Sequence, residues 1–278
     1  MRIALTIAGS DPSGGAGIQA DLKTFAAFGV YGASAISAVT VQSTRGVETV
    51  SPLSADLVTA QIEAVAGDLT IDATKIGMLA TSAIVEAVAA AIKELELPLV
   101  VLDPVLVSSS GEPLLDADGV RAMCLELLPL ARVVTPNIPE AETLSGRRIG
   151  SPAEAREAAR RIHDMGPAAV IITGGHRDWD EEGPGAQVVD LLFDQGQFHE
   201  FRTRRLDSTH THGTGCTFAS AVAAGLALGH SVSDAAARAQ QYVAGAIAHA
   251  PGIGHGRGPL NHFWEWTSRS GEERVRET

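Results

Sequence analysis

The sequence has few of the features that mark exported or membrane proteins. Its only two cysteines, Cys124 and Cys216, lie far apart in the chain, which fits a reducing compartment without disulfides. No apolar stretch is long enough to span a bilayer. The first residues lead directly into a glycine turn, without the charged start and cleavage site of a signal peptide. We therefore expect a cytoplasmic protein that does not bind a membrane.

Positive charge is also scarce. The chain carries 21 lysines and arginines against 33 acidic residues, which gives a formal net charge of −12. Affinity for nucleic acids comes mostly from basic side chains that neutralise phosphates, so this balance argues against a nucleic-acid partner. Arg202, Arg204 and Arg205 form a local basic cluster, which we interpret as a solvated strand edge. Small molecules are the expected partners.

The sequence contains no segment that separates two domains. It has no charge block, proline tract, low-complexity linker or repeat of fixed period. We predict one domain over residues 1–266. The polar, charged tail at 267–278 is expected to be disordered.

Short apolar runs alternate with segments of helical periodicity along most of the chain. Strands are predicted at 2–8, 33–41, 74–78, 99–102, 132–135 and 169–173, with helices between them, including one at 119–128. Two later runs flank Asp194-Gln195-Gly196, which is the signature of an antiparallel hairpin. The pattern predicts a three-layer α/β/α fold, with a mostly parallel central sheet and an antiparallel edge hairpin.

The segment from Thr211 to Cys216 predicts a tight turn that leads into a helix. Gly213 and Gly215 let the backbone adopt positive φ and approach a ligand closely. The unpaired N–H groups and the dipole at the start of the helix suit a phosphate, so we predict an anion hole here. Helix dipoles lower thiol pKa values, which would make Cys216 a weak base or a nucleophile. The alternative is a small apolar residue in a tight place.

A second glycine-rich loop, from Gly9 to Gly17, follows the first strand. It is not a Walker motif, because Gly15 and Ala16 follow Gly14 and neither is the lysine that the motif requires. We interpret it as a loop that closes around a small ring, with Asp21 one helical turn further on. Gln42, at the end of the second strand, carries an amide that offers a donor and an acceptor to a heterocycle.

Acidic residues follow two further strands. Asp103 comes directly after the strand at 99–102, and Asn137 and Glu140 lie three apart at a helix start. Because ligands of such sheets bind beyond the carboxyl ends of the strands, both acids are expected on the same rim as the anion hole. Asn137 and Glu140 could hold Mg²⁺ through water, or they could form a helix cap. The spacing alone leaves both open.

Taken together, these motifs resemble the hydroxymethylpyrimidine/phosphomethylpyrimidine kinases of thiamin biosynthesis, members of the ribokinase-like superfamily. The resemblance runs from Ile7 to Phe263, and the motifs that carry it are the glycine loop, Lys75-Ile76-Gly77-Met78-Leu79, Asp103-Pro104-Val105, Thr135-Pro136-Asn137 with Glu140, Gly174-Gly175-His176 and Thr211 to Cys216. It implies that ATP phosphorylates a hydroxymethylpyrimidine to its monophosphate and then to its diphosphate. It also implies a homodimer.

The resemblance assigns a role to each candidate site residue. The aminopyrimidine would be surrounded by Gly9, Asp21, Gln42, Met78 and Val105. Mg²⁺ and phosphates would be organised by Asp103 and Glu140, and ATP would be contacted by Asn137, Thr173, Gly175 and Thr214. Gly213, Gly215 and Cys216 would form the catalytic anion hole, with Cys216 where related sugar kinases have a catalytic aspartate.

Three positions depart from the family pattern. Thr173 and Ser109 stand where lysines are common, and His210 replaces an asparagine. The loss of two cations near the phosphates puts the rate in doubt, unless His210 or Arg177 compensates. Two alternatives therefore stay open: a pyridoxal kinase, against which Gln42 and Met78 argue, and a non-catalytic pyrimidine or nucleotide sensor.

Overall fold

A single sheet runs through the computed structural model, which describes residues 1–108, 111–176 and 186–266. In these residues the sheet has nine strands, in the order β3-β2-β1-β4-β5-β6-β7-β8-β9. The strands are β1 (Ile3–Ser10), β2 (Tyr31–Ser43), β3 (Gly46–Pro52), β4 (Ala73–Ile76), β5 (Val100–Leu102), β6 (Val133–Val134), β7 (Ala169–Ile172), β8 (Gln187–Asp194) and β9 (Gln197–Arg204). The pairings from β2 through β1, β4, β5 and β6 to β7 are parallel.

Helices cover both faces of the sheet. They are α1 (Gly17–Ala27), α2 (Ala55–Ala66), α3 (Ser82–Glu94), α4 (Ala117–Ala122), α5 (Ile138–Ser145), α6 (Pro152–His163), α7 (Thr214–Ala227) and α8 (Val232–Ala248). Because strand side chains alternate between faces, Leu5 and Ile7 pack with α2 to α6, whereas Ala4 packs with α1, α7 and α8. The predicted three-layer α/β/α fold with a mostly parallel central sheet is confirmed.

The predicted edge hairpin is present. β8 pairs with β9 in antiparallel register from Gln187 opposite Arg204 to Asp194 opposite Gln197. Gln195 and Gly196 connect the strands with φ values of 50° and 76°. This left-handed pair is the geometry that a two-residue hairpin loop requires.

The opposite edge of the sheet was not predicted. β2 extends to Ser43 and pairs with β3 in antiparallel register, so both edges of the sheet are antiparallel. β3 has an irregular mixture of half-buried and exposed residues, and it lacks the clean apolar alternation that reveals a strand in sequence. The predicted helix at 119–128 is also only partly right, since α4 ends at Ala122 and a π-helical turn follows over Met123–Leu127.

The described helices include none that is long and apolar enough to cross a bilayer. The predicted disordered tail at 267–278 lies outside the described residues. The carboxyl ends of the parallel strands meet at one rim of the sheet, and it is there that the glycine loop, the acidic residues and the start of α7 come together.

Candidate active site

A cavity of about 740 Å³ opens at this rim. Thirteen of the fourteen candidate residues line it: Gly9, Gln42, Met78, Asp103, Val105, Asn137, Glu140, Thr173, Gly175, Gly213, Thr214, Gly215 and Cys216. Gly9 and Gln42 lie in β1 and β2, and the others lie in the segments that follow β4, β5, β6, β7 and β9, so the fold brings together residues that are far apart in sequence. A volume of this size is within the range of small-molecule sites.

The start of α7 forms one wall of the cavity. Gly213 has φ of 87° and precedes the helix, and no side chain caps the first turn. The first-turn N–H groups of a helix have no partner within it, so those of Gly215 and Cys216 remain available at the cavity wall. Together with the positive end of the dipole of this 14-residue helix, they form a site for an anion.

Two buried carboxylates lie on the same cavity. Burial raises the pKa of Asp103 to about 6, although the ammonium group of Lys75 opposes the shift. Burial, reinforced by repulsion from Asp103, raises the pKa of Glu140 to about 8. Among the described residues none makes a hydrogen bond to Oδ2 of Asp103, a buried atom. A cation between these groups would relieve the repulsion and satisfy that oxygen.

The donor set fits Mg²⁺ better than a metal that needs a complete protein cage. The described residues contain no group of three or more histidines, cysteines or acids that could hold an ion. Mg²⁺ is usually bound by one or two carboxylates, with water and substrate phosphates completing its coordination. Asp103 and Glu140 would hold the ion, which would neutralise charge on the phosphates.

Asn137 and Glu140 also form a helix cap, the second of the two roles that their spacing left open. The Asn137 side chain accepts a hydrogen bond from the Glu140 N–H (3.0 Å), and Oε2 of Glu140 accepts one from the Asn137 N–H (2.9 Å). The cap fixes Glu140 at the rim, although burial still disfavours the charged form of its carboxyl group. Thr173 is held beside this turn because its N–H donates to the carbonyl of Pro136.

The expectation for the Cys216 thiol was wrong. The helix dipole predicted a lowered pKa, but burial raises the pKa of Cys216 to about 12, despite the nearby ammonium of Lys75. The effect of burial and of the surrounding carboxylates exceeds that of the helix terminus. Cys216 is therefore a neutral thiol at neutral pH, close to the carboxylate of Asp103.

Asp21 is the candidate that does not line the cavity. It is fully buried in α1 and points toward the sheet, where its carboxylate accepts hydrogen bonds from Thr6 (2.6 Å), Ser220 (2.6 Å) and Lys75 (3.1 Å). Nζ of Lys75 also lies 3.9 Å from Oδ2 of Asp103. The buried ammonium therefore connects Asp21 to the carboxylate on the cavity, a link that sequence reasoning did not find.

Asp11 and His212 form a second unpredicted contact. Nε2 of His212 lies 2.8 Å from Oδ2 of Asp11, and both residues are buried. The same carboxylate accepts the N–H groups of Ser13, Gly15 and Ala16, so it shapes the glycine loop. Since His212 directly precedes Gly213, the pair fixes the glycine loop against the anion hole. Both residues stood inside recognised motifs, but nothing local indicated that they meet.

The arginine cluster was only partly understood from the sequence. Arg204 and Arg205 line the cavity, and Nη1 of Arg205 donates to the carbonyl of Gly175 (3.4 Å). These cations lie on the side of the cavity where Thr173 replaces lysine. His210 is not among the lining residues and packs against Gly258. Ser109 and Arg177 lie outside the described residues.

An anion-binding helix start that faces two buried carboxylates, at the carboxyl rim of a mostly parallel sheet, defines a small-molecule kinase of the ribokinase-like class. The family model described as phosphomethylpyrimidine kinase matches residues 11–261. The chain belongs to this family.

Individual relatives agree with this assignment. The chain is 47% identical to the hydroxymethylpyrimidine/phosphomethylpyrimidine kinase of Rhizobium meliloti, over 95% of this chain and 98% of the relative. It is 46% identical to the thiamine biosynthesis bifunctional protein ThiED of Geobacter sulfurreducens over 93% of this chain, but that match spans only 52% of ThiED. A structure of Bacillus subtilis pyridoxal kinase with ADP superposes with a TM-score of 0.86 at 37% identity, covering 96% of this chain and 99% of that one.

Gly213 offers a direct test of the anion hole. A Cβ at this position would overlap the carbonyl of Gly15, and φ of 87° strains any other residue. We expect Gly213→Ala to displace the start of α7 and to lower kcat at least about tenfold, because correctly placed donors stabilise the transition state. Steady-state kinetics with Mg²⁺ and ATP would measure it.

Gly229 provides a matched control. It has the same φ of 87°, but a Cβ there meets nothing within 4 Å. Gly229→Ala therefore carries the backbone strain, about 1–2 kcal/mol, without the clash, and should leave kcat unchanged. Equal losses in both variants would mean that strain, not the anion hole, explains the effect.

Proposed function

We propose that this protein transfers the γ-phosphoryl group of ATP to 4-amino-5-hydroxymethyl-2-methylpyrimidine and then to the resulting monophosphate, in thiamin biosynthesis. The observation that carries the proposal is that one cavity contains the start of α7, Asp103 and Glu140 together with Gly9, Gln42 and Met78. The membership of the chain in the phosphomethylpyrimidine kinase family supports the substrate.

The site residues have different roles in the phosphoryl transfer. In each step the bond between the γ-phosphorus and the oxygen bridging to the β-phosphate breaks, and a bond to the substrate oxygen forms, with ADP as the other product. In the first step the hydroxyl proton is also released, to water. The N–H groups at the start of α7 stabilise the transferring phosphoryl group. Asp103 and Glu140 would hold Mg²⁺, and Asn137, Thr173, Gly175 and Thr214 would contact the nucleotide. Arg204 and Arg205 provide positive charge on that side.

A neutral Cys216 suits two different acceptors. The hydroxymethyl group must lose a proton, whereas the monophosphate is already mostly ionised at pH 7, since its second pKa is about 6. A fixed carboxylate at this position would repel the second substrate by about 4 kcal/mol at 4 Å and an effective dielectric of 20. The raised pKa of Cys216 avoids that repulsion, so one site can serve both steps.

The test is to incubate the protein with ATP, Mg²⁺ and one acceptor at a time, and to identify products by mass spectrometry. The acceptors are the hydroxymethylpyrimidine, its monophosphate and pyridoxal. Formation of both pyrimidine phosphates is the expected result. Product from pyridoxal alone would identify a pyridoxal kinase, and tight binding without any product would indicate a sensor.

Three further expectations remain proposals. A homodimer is supported by Val39 and Val41, which are half exposed on β2 beside the edge strand β3. A cytoplasmic location is supported by Cys124 and Cys216, which are both free. One domain over 1–266 is supported by the continuity of the sheet from β1 to β9.

A further inference from the structure

The carboxamide of Gln42 lies between two groups that both constrain it. One end, placed as Oε1, is 3.0 Å from Oγ1 of Thr40, and the other end, placed as Nε2, is 3.4 Å from Nε2 of His212. The oxygen and nitrogen ends of a carboxamide are assigned from the hydrogen bonds around them. The protons of Thr40 and His212 therefore decide which end faces which neighbour.

Thr40 has a single hydroxyl proton. Its Oγ1 lies 3.0 Å from the carbonyl oxygen of Ser10, which can only accept, so the proton is donated there. The hydroxyl oxygen can then only accept from Gln42. This requires the NH₂ end of the carboxamide to face Thr40.

His212 leads to the same orientation independently. Its Nε2 lies 2.8 Å from a carboxylate oxygen of Asp11, whose pKa is lowered to about 2: burial opposes ionisation, but bonds from His212 and Ser13 outweigh it. Because an ionised carboxylate can only accept, Nε2 of His212 carries a proton. A second N–H donor from Gln42 cannot pair with it, whereas the amide oxygen can.

We infer that the Asp11–His212 pair and Thr40 lock the Gln42 carboxamide with its oxygen toward His212 and its nitrogen toward Thr40, and that this orientation selects an aminopyrimidine edge. The inference rests on the proposed function, because it needs the ring to lie against Gln42. Asp11, His212 and Thr40 act through Gln42 and are positioning residues.

The locked amide presents a fixed pair of groups to the cavity. Its remaining N–H can donate to a ring nitrogen, and its oxygen can accept from an adjacent exocyclic amino group. A 4-aminopyrimidine offers that pair, an acceptor at N3 next to a donor at the 4-amino group. The corresponding pyrimidin-4-one offers the reverse, because N3 carries hydrogen and the 4-oxygen accepts.

The experiment compares these two rings as acceptors. Phosphorylation of 4-amino-5-hydroxymethyl-2-methylpyrimidine and of its 4-oxo analogue is followed with ATP and Mg²⁺, and binding of both is measured by calorimetry. We expect wild type to prefer the amino compound by at least about 100-fold in kcat/KM, because a site built to hydrogen-bond one pattern leaves polar groups unpaired with the other.

Asp11→Asn is the first variant. Oδ2 of Asp11 accepts from Gly15 and Ala16 as well as facing His212, so the asparagine oxygen takes this place and its NH₂ faces Ser13. A neutral amide oxygen holds the proton on Nε2 of His212 less strongly than a carboxylate does. The oxygen of Gln42 is then held toward His212 less firmly, and the preference for the amino compound should fall at least about threefold. Because Asp11 and His212 also fix the glycine loop against the anion hole, activity toward both rings should fall, and only the ratio between the two rings reports on Gln42.

Thr40→Val and Ser13→Ala complete the test. Thr40→Val removes the acceptor for the Gln42 nitrogen without altering Asp11, so it should relax the preference even if Asp11→Asn does not fold. Ser13→Ala removes one hydroxyl bond to Asp11 (2.7 Å) that does not involve His212, and it should keep the ratio within about twofold of wild type.

Two outcomes would overturn the inference. One is a loss of activity toward both rings by the same factor in Asp11→Asn and Thr40→Val, which is what a purely structural role predicts. The other is a wild-type enzyme that phosphorylates both rings equally well. Failure of wild type to phosphorylate either ring, with the amino compound still bound preferentially, would reject the proposed function but retain the orientation of Gln42.

Discussion

Asp103→Asn is expected to lower kcat about 100- to 1000-fold, the range seen when one electrostatic group of a reaction site is removed. Asp103 lies on the cavity, and its Oδ2 has no hydrogen bond within the described part of the chain. Asparagine keeps the shape but removes the charge that would hold the cation against the phosphates. Kinetics at saturating ATP would measure the loss of kcat. A titration with Mg²⁺ would measure the lower apparent affinity of the variant for the ion.

Stability measurements separate this loss from unfolding. Burial raises the pKa of Asp103 from 3.8 to about 6, so the ionised carboxylate opposes folding. The contribution of Asp103 to stability is therefore lost as the pH rises from about 4 through 6, and Asp103→Asn lacks this contribution, so its stability should depend less on pH over this range. At pH 8 the variant should withstand at least as much urea as wild type. A variant that is both inactive and less stable would contradict a specific role for the charge.

The exposed Asp118 provides the matched control. Its side chain is 78% exposed and pairs only loosely with Arg121, at 3.9 Å. Asp118→Asn removes the same charge from the surface and should leave kcat unchanged. Activity of Asp103→Asn within about fivefold of this control would place the cation elsewhere in the cavity.

Much of this site could be predicted from sequence because its parts are local patterns. Gly213 and Gly215 indicated a turn before a helix, and Asp103 followed a recognisable buried strand. The rule that ligands bind beyond the carboxyl ends of parallel strands then placed these pieces on one rim, and the cavity contains them.

The errors share a different cause, since each concerned contacts between distant segments. Asp21 was assigned to the ring pocket by the family resemblance, whereas in the structure it lies outside the cavity lining and Thr6, Lys75 and Ser220 hold it inside the protein. The pKa of Cys216 was inferred from its own helix, whereas burial determines it. β3 was missed because its residues carry little periodicity and its partner strand supplies the pairing.

Lys75→Met is expected to reduce the free energy of unfolding by about 3–5 kcal/mol, the cost of removing one partner from a buried ion pair. The Lys75 side chain is completely buried, 3.1 Å from Asp21 and 3.9 Å from Asp103. The two carboxylates, although burial opposes the charge, raise the pKa of Lys75 above its usual value. Methionine fills a similar volume, so urea unfolding would measure chiefly the loss of charge.

The double variant Asp21→Asn with Lys75→Met tests whether the charges, and not the packing, explain this cost. It removes both members of the pair, and asparagine can still accept a hydrogen bond from Ser220 or Thr6. We expect it to recover at least half of the lost stability, because no uncompensated charge remains between Asp21 and position 75. Lys93→Met, which breaks the exposed pair with Glu126 at 2.8 Å, should cost less than about 1 kcal/mol. A double variant as unstable as Lys75→Met would contradict the assignment of this cost to the unpaired charge of Asp21.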